Sequence, residues 1–300
     1  MKRRMVIAAL MLMIAVVFAA CKKDPNNGGG AVSVPEGAID GLFTINSVGD
    51  KVYFSQGNLQ YDKTTNEWSF LEHQYDVAES DDLDVGVDYA DQNVVGLFCW
   101  GTSGYDHGAV CYQPWRTNTY YNNYHAYGID TANLFDQTGQ ADWGCNAISN
   151  GGNTTNTWRT LTKEEWDYVL YTRNTNSQIR FVKACVNDLW GVIILPDDWS
   201  SSYYTLNNTN SATSHFINNT ITVSQWSNLE KHGAVFLPAA GVRVETKTVN
   251  VGASGNYWSS TREGDHLAYL LHFCWTEADL STRAYGRFSG CSVRLVRDAQ

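Results

Sequence analysis

The chain has 300 residues, a formal net charge of −10 and aromatic side chains at 13% of its positions. The acidic balance excludes the clustered Lys/Arg surface that nucleic acids and anionic lipids require, and the aromatic content excludes a disordered chain. With 25 glycines and five prolines the chain is neither collagen-like nor proline-rich. A globular protein of one large or two small domains remains.

The first 20 residues have the layout of an export signal. Three basic residues at positions 2–4 precede the apolar stretch Met5–Val17, which is too short for a comfortable membrane span. Ala19 and Ala20 then lead to Cys21, a pattern that resembles a bacterial lipoprotein signal in which the cysteine is acylated. An ordinary cleaved secretory signal is the alternative.

These features predict the domain organisation and the location. Residues 1–20 form the signal peptide, Cys21 carries the lipid, and the Gly/Asn-rich segment 21–38 is a flexible tether. Residues 39–300 form the folded domain. We expect an outer-membrane lipoprotein on the cell surface that contacts the membrane only through its anchor.

Short strands dominate the rest of the chain. In chain order the predicted strands are Val52–Ser55 and Asn58–Tyr61, which form an opening hairpin, then Trp68–Phe70, Val192–Leu195, Ala234–Leu237, Tyr257–Ser260, Ala268–Phe273 and Ser292–Val296. Residues 96–152 are rich in Gly, Asn, Tyr and Trp without a sustained period, which predicts long ordered loops held by buried aromatic side chains. A further loop is predicted over residues 207–222.

Two helices are predicted. The first begins at Thr162, which forms a capping box with Glu165, and Trp166, Val169 and Leu170 give it one apolar face. The second runs from about residue 225 to 231 and ends at a glycine.

Six cysteines follow the anchor: Cys99, Cys111, Cys145, Cys185, Cys274 and Cys291. None has CxxC spacing, and no Cys/His group has the spacing of a zinc site. Export would permit disulfides, but the spacing predicts mostly free, partly buried thiols.

Five segments carry a family resemblance. Trp158–Tyr168 resembles a helix of the formylglycine-generating-enzyme family, whereas Phe236–Gly241, Gly255–Thr261, Ala268–Phe273 and Gly290–Val296 resemble the Fibrobacter succinogenes major paralogous domain. The C-terminal segments are also similar to variable proteins of diversity-generating retroelements. The resemblance implies an α+β, C-type lectin-like fold with twisted antiparallel sheets, few helices, long ordered loops and a diversified region at about residues 241–297.

Side-chain alternation in the strand Ala268–Phe273 predicts a binding face. Tyr269, Leu271 and Phe273 should face the core, whereas the opposite face and the run 282–289 follow no pattern, as is typical of a binding surface on a fixed scaffold. A solvent face that drifts without consequence fits the same pattern. The candidate ligand-binding residues, expected to be exposed neighbours, are Asp265, His266, Leu270, His272, Cys274, Arg283, Tyr285, Phe288 and Ser289.

Competing chemistry finds little support in the motifs. Cys274 and Cys291 do not lie in the catalytic pattern of the copper-binding oxidases, the run 113–115 lacks the acid that a calcium-dependent lectin needs, and the acidic stretch 81–91 lacks a calcium-loop spacing. No hydrolase or nucleotide-binding motif occurs. The sequence therefore predicts a non-catalytic binding protein for a protein or glycan ligand, without metal or cofactor. The alternatives are an oxidase like the formylglycine-generating enzyme and a structural cell-envelope protein.

Overall fold

The part of the chain that the structure describes contains sixteen β-strands and two α-helices. The computed structural model describes residues 33–78, 92–105, 113–116, 132–136, 139–275 and 280–299. All strand pairs in this part are antiparallel except one. The protein is therefore of the α+β class.

The strands and helices have the following bounds. The strands are β1 (Phe43–Thr44), β2 (Lys51–Phe54), β3 (Leu59–Asp62), β4 (Glu67–Phe70), β5 (Val94–Val95), β6 (Arg159–Thr160), β7 (Phe181–Val186), β8 (Leu189–Ile194), β9 (Thr220–Ile221), β10 (Val235–Pro238), β11 (Ala240–Val244), β12 (Lys247–Val251), β13 (Ser254–Glu263), β14 (Leu267–Cys274), β15 (Leu280–Gly286) and β16 (Leu295–Asp298). The helices are α1 (Lys163–Asp167) and α2 (Val223–Lys231).

The strands form five small sheets. Their orders are β1-β2-β16-β6, β4-β3-β5, β10-β8-β7-β9, β11-β12 and β13-β14-β15. The single parallel pair joins β7 to β9. By chain contacts, Val34–Gln300 form one unit.

Each helix begins with a capping box, and only that of α1 was predicted. The Thr162 hydroxyl accepts from the Glu165 amide at 3.1 Å, and the Glu165 carboxylate accepts from the Thr162 amide at 2.8 Å. After α1 the chain continues as one π-helical turn to Thr172, and Trp166 is fully buried as predicted. A second capping box at Thr222 starts α2, two residues before the predicted start.

The predicted opening hairpin is wrong. β2 and β3 belong to different sheets, because the C-terminal segment runs alongside both of them. The Ser55 amide donates to the Leu295 carbonyl at 2.9 Å, and the Leu59 amide donates to the Val293 carbonyl at 2.9 Å. The predicted loop over residues 207–222 also contains β9 and a short 3-10 turn, Phe216–Asn218.

The β13-β14-β15 sheet is covered on both faces. One face packs into a tryptophan cluster, whose members include Trp68, Trp100, Trp143, Trp158, Trp258, Ala268 and Leu270. The other packs into a helix-side cluster that includes Phe54, Trp166, Tyr257, Leu271 and Phe273. This arrangement buries Trp166, Trp258 and Phe273 completely.

The predicted alternation along β14 is only half right. Leu271 and Phe273 are buried as expected, but Tyr269 is only partly buried, and Lys163 Nζ lies 5.7 Å from the centre of its ring. Leu270 was expected to be exposed and is fully buried. The expectation fails because it assumed a sheet with one solvent face.

Candidate functional site

A cleft of about 260 Å³ is lined in part by side chains of β14 and β15. We call it the C-terminal cleft. Four of the nine candidate residues line it: His272, Cys274, Arg283 and Tyr285. The six other lining residues are Val242, Asn250, Ala253, Ser254, Asn256 and Trp275. These residues come from β11, the segment 250–256, β14 and β15.

Strand register explains how the four candidates meet. Leu270 pairs with Arg283 and Ala268 pairs with Tyr285 across β14 and β15, and residues that pair directly project from the same face of a sheet. His272 and Cys274 lie on that same face because side chains alternate along a strand. The part of the face at Ala268 and Leu270 is sealed by the tryptophan cluster. The part near the chain end of β14 opens into the cleft.

One hydrogen-bond network fixes the wall of the cleft. His272 Nδ1 lies 2.8 Å from Asn256 Oδ1. The Asn256 amide nitrogen donates to the Gly241 carbonyl at 3.0 Å and to the Ser254 hydroxyl at 3.2 Å. Since both amide protons are used, the Asn256 oxygen is the acceptor and His272 Nδ1 carries the proton. The buried Asn256 side chain thus ties the histidine to β11.

Trp275 supplies an exposed aromatic surface at the mouth of the cleft. Its side chain is 57% exposed, and its ring centre lies 6.0 Å from that of Trp190. Trp190 in turn stacks on Phe216, with ring centres 5.7 Å apart and planes 7° apart. Exposed tryptophans that are supported from below are typical of binding hot spots. Trp275 is not among the nine predicted site residues, although it follows the predicted strand Ala268–Phe273 by two positions.

The charge of the C-terminal cleft differs from that of the whole chain. Among the described lining residues, Arg283 is the only side chain with a permanent charge, while the chain carries −10. Burial raises the pKa of Tyr285, so the phenol keeps its proton at neutral pH and can donate a hydrogen bond. The lining is therefore suited to a ligand with hydrogen-bond acceptors and an apolar face.

The remaining candidates do not join the cleft. Asp265 and His266 are exposed in the turn between β13 and β14. His266 lies eight positions before Cys274 along extended chain, roughly 25 Å at the usual rise of a strand. This turn is held by the buried Arg287, whose side chain donates to the Leu267 carbonyl at 2.9 Å and to the Gly264 carbonyl at 3.0 Å.

Three further candidates lie in or near the protein interior. Leu270 is fully buried, Ser289 is 4% exposed, and Phe288 is partly buried against Gly286. Cys274 is also largely buried, although it contributes to the cleft lining. The expectation that all nine are exposed neighbours is thus wrong: Leu270, Ser289 and Cys274 are buried, and Asp265 and His266 lie outside the cleft. Leu270 belongs to the tryptophan cluster.

Little in the described part of the chain favours metal chemistry or a membrane span. No group of three or more His, Cys, Asp or Glu side chains is placed to hold a metal ion there. No helix in those residues has the length and apolar character to cross a bilayer. The five described cysteines form no disulfide. The predicted anchor Cys21, the acidic stretch 81–91 and Cys111 lie outside the described residues.

Comparisons with known proteins give no relatives. No family model matches the chain, and neither a curated protein nor a solved structure matches it significantly.

Proposed function

We propose that this chain is a surface-displayed, non-catalytic binding lipoprotein whose C-terminal cleft contacts a protein or glycan ligand. The observation that carries the proposal is the convergence of His272, Cys274, Arg283 and Tyr285 on one cleft with the exposed Trp275 at its mouth. The proposal includes the lipid anchor at Cys21, a location in the outer membrane, and a C-type lectin-like fold like that of the two families that the sequence resembles.

The geometry of the C-terminal cleft favours binding over catalysis. His272 Nδ1 is hydrogen-bonded to the Asn256 amide oxygen rather than to a thiol or hydroxyl, so it does not form a nucleophile–base pair through that atom. What the cleft offers is an aromatic surface, one guanidinium and several neutral hydrogen-bonding groups. Such a set resembles the anchors of protein interfaces and paratopes.

The test uses the full mature chain and a matched pair of variants. Purified wild type is applied to a glycan array and to a library of displayed peptides, and each hit is measured again with the double variant Trp275→Ala/Arg283→Ala. Tyr203→Ala, which removes another partly exposed aromatic ring, is the control. We expect at least one hit to weaken at least about tenfold in the double variant and not in the control, since hot-spot truncation typically costs 2 kcal/mol or more.

The same experiment separates the alternative functions. A structural envelope protein would give no hit that depends on Trp275 and Arg283. An oxidase of the formylglycine-generating kind would convert a cysteine peptide in air with copper added, and a peptide mass unchanged after incubation argues against it. If every hit survives the double variant, the binding surface lies elsewhere and the proposal is overturned.

A further inference from the structure

A second cavity, of about 520 Å³, lies away from the C-terminal cleft and shares no lining residue with it. We call it the amide groove. The β3–β4 hairpin forms one wall, and the segments 103–105, 113–114 and 140–147 form the others. Its volume is in the range of pockets that hold small ligands.

The described lining of the amide groove is uncharged. Among its described lining residues there is no Asp, Glu, Lys, Arg or His, although the chain as a whole is strongly acidic. The lining instead has four side-chain amides, which are Asn66, Gln113, Gln140 and Asn146. It also has three aromatic rings, which are Tyr61, Trp68 and Tyr105. A charged ligand would find no ionic partner among these groups. An uncharged ligand rich in hydroxyl groups would find both donors and acceptors.

The amides are held in defined orientations. Asn146 donates both of its amide protons, to the Ser103 carbonyl at 3.0 Å and to the Trp143 carbonyl at 3.1 Å. Its carbonyl oxygen is therefore the atom it offers to a ligand. The Asn66 carbonyl oxygen accepts from the Tyr61 hydroxyl, so Asn66 offers its amide protons. One side of the groove thus accepts and the other donates.

An exposed aromatic side chain, Trp115, lies next to the lining of the amide groove. Trp115, directly after the lining residues Gln113 and Pro114, is 38% exposed and stacks on Tyr61 with ring centres 5.7 Å apart and planes 26° apart. Tyr61 packs in turn against Trp68 at 4.8 Å. The negative face of an aromatic ring attracts C–H groups that carry partial positive charge. The apolar face of a pyranose ring presents such groups.

We propose that the amide groove binds an uncharged saccharide, with one sugar ring on the Trp115 face and its hydroxyl groups bonded to Asn66 and Asn146. The site needs no calcium, because its described lining contains no carboxylate. It is independent of the C-terminal cleft, so the protein would engage a neutral glycan and a second ligand at separate surfaces.

The probes are neutral hexasaccharides of glucose, mannose and xylose, the matching soluble polysaccharides, and hexagalacturonate as the acidic counterpart. Binding to the full mature chain is measured by calorimetry, with and without a calcium chelator. We expect at least one neutral series to bind, unaffected by the chelator, and hexagalacturonate to bind at least tenfold more weakly. Equal affinity for hexamer and polymer indicates a free oligosaccharide as ligand, whereas preference for the polymer indicates a polysaccharide chain.

Three variants locate the site. Trp115→Ala should weaken neutral-sugar binding at least tenfold, and Trp115→Phe should restore most of it, because the ring face is retained. Asn66→Gly removes the amide while keeping the backbone, since Asn66 has φ of 62°, which glycine adopts without strain; it should also weaken binding. Tyr203→Ala, which removes a partly exposed ring that lines neither cavity, should leave it unchanged.

The proposal is overturned if no neutral saccharide binds, if binding survives Trp115→Ala, or if the acidic probe binds as well as the neutral ones. Loss of sugar binding in Trp275→Ala would assign the glycan to the C-terminal cleft instead. These outcomes are separate from the test of the C-terminal cleft, which depends on Trp275 and Arg283 alone.

Discussion

Asn256 and His272 face each other across β13 and β14, and their side chains share a hydrogen bond of 2.8 Å. The same Asn256 side chain bonds the Gly241 carbonyl in β11, so one buried amide connects two sheets and orients a histidine at the C-terminal cleft. Breaking the hydrogen bonds of a buried polar group that is fully hydrogen-bonded costs folding free energy.

The first prediction concerns that amide. Asn256→Ala removes three hydrogen bonds and leaves the Gly241 carbonyl without one of its partners, so it should lower the free energy of unfolding by about 2–4 kcal/mol. Asn228→Ala, which removes one exposed bond to the Tyr203 carbonyl, is the control and should cost less than about 0.5 kcal/mol. Urea unfolding followed by fluorescence measures both. Equal midpoints would contradict the role given to Asn256.

The second prediction concerns Trp166 in α1. The ring is fully buried and lies 5.9 Å from Phe54, so Trp166→Ala should cost about 3–5 kcal/mol of stability. Its indole nitrogen has no hydrogen-bond partner in the described part of the chain. Trp166→Phe should therefore cost clearly less than Trp166→Ala. Thermal unfolding of the two variants beside wild type tests this ranking, and an unchanged midpoint in Trp166→Ala would disprove the packing of α1.

The third prediction concerns Cys145. Burial, followed by the nearby Asp142, raises the pKa of its thiol to about 12. The thiolate is the reactive form, so at pH 8.5 we expect iodoacetamide to modify Cys145 at least about 100-fold more slowly in the native protein than in urea. Mass spectrometry of the tryptic peptide gives both rates. Similar rates in the two states would show that the thiol is not protected.

The raised thiol pKa also sets the sign of a pH effect on stability. Folding favours the protonated thiol, so the contribution is fully present below the ordinary thiol pKa of about 8.5 and is lost as the pH rises toward 12. The alkaline loss of stability should be smaller in Cys145→Ser, because serine does not titrate there. An identical alkaline limb in both proteins would rule out this linkage.

The fourth prediction concerns the anchor. Cells grown with radioactive palmitate should label the wild-type protein and not Cys21→Ala, because a lipoprotein signal places the acyl chains on that cysteine. Labelling of Cys21→Ser is expected to be absent as well. Label that persists in either variant would indicate a different attachment or none of the lipoprotein type.

The fifth prediction concerns diversification. If a retroelement acts on this gene, a reverse transcriptase and a near-identical template repeat lie close by, with mismatches at template adenines. The structure narrows the codons at which these mismatches should fall. We expect them at His272, Arg283 and Tyr285, which line the C-terminal cleft, and not at Leu270, which is buried in the core. Sequencing of the locus decides this. A neighbourhood without such a repeat excludes active diversification there.

Local signals were predictable and long-range pairings were not. The capping box at Thr162 and the burial of Trp166 depend on residues within one helix, so the sequence alone indicates them. The partners of β2 could not be inferred in that way, because β16 lies at the far end of the chain. The exposure of Leu270 was misjudged because side-chain alternation does not reveal whether one or both faces of a sheet are covered.

The same difference between local and long-range signals applies to the two cavities. Four residues of the C-terminal cleft were accessible from the sequence because β14 and β15 are adjacent hairpin strands: His272, Cys274, Arg283 and Tyr285. The amide groove was not, because Tyr61, Tyr105 and Asn146 come from separate segments without a common motif. Only the tertiary fold brings those neutral side chains to one place.

The position of β16 constrains how the protein is made. Val296 pairs with Phe54, so β2 leaves the ribosome about 240 residues before its partner does. Until then one edge of β2 has unpaired backbone groups that could join another chain. Pairings between such distant segments also form slowly. Completion of the first sheet therefore follows synthesis of the C-terminal region, and a chain arrested before β16 would be an incomplete, aggregation-prone domain.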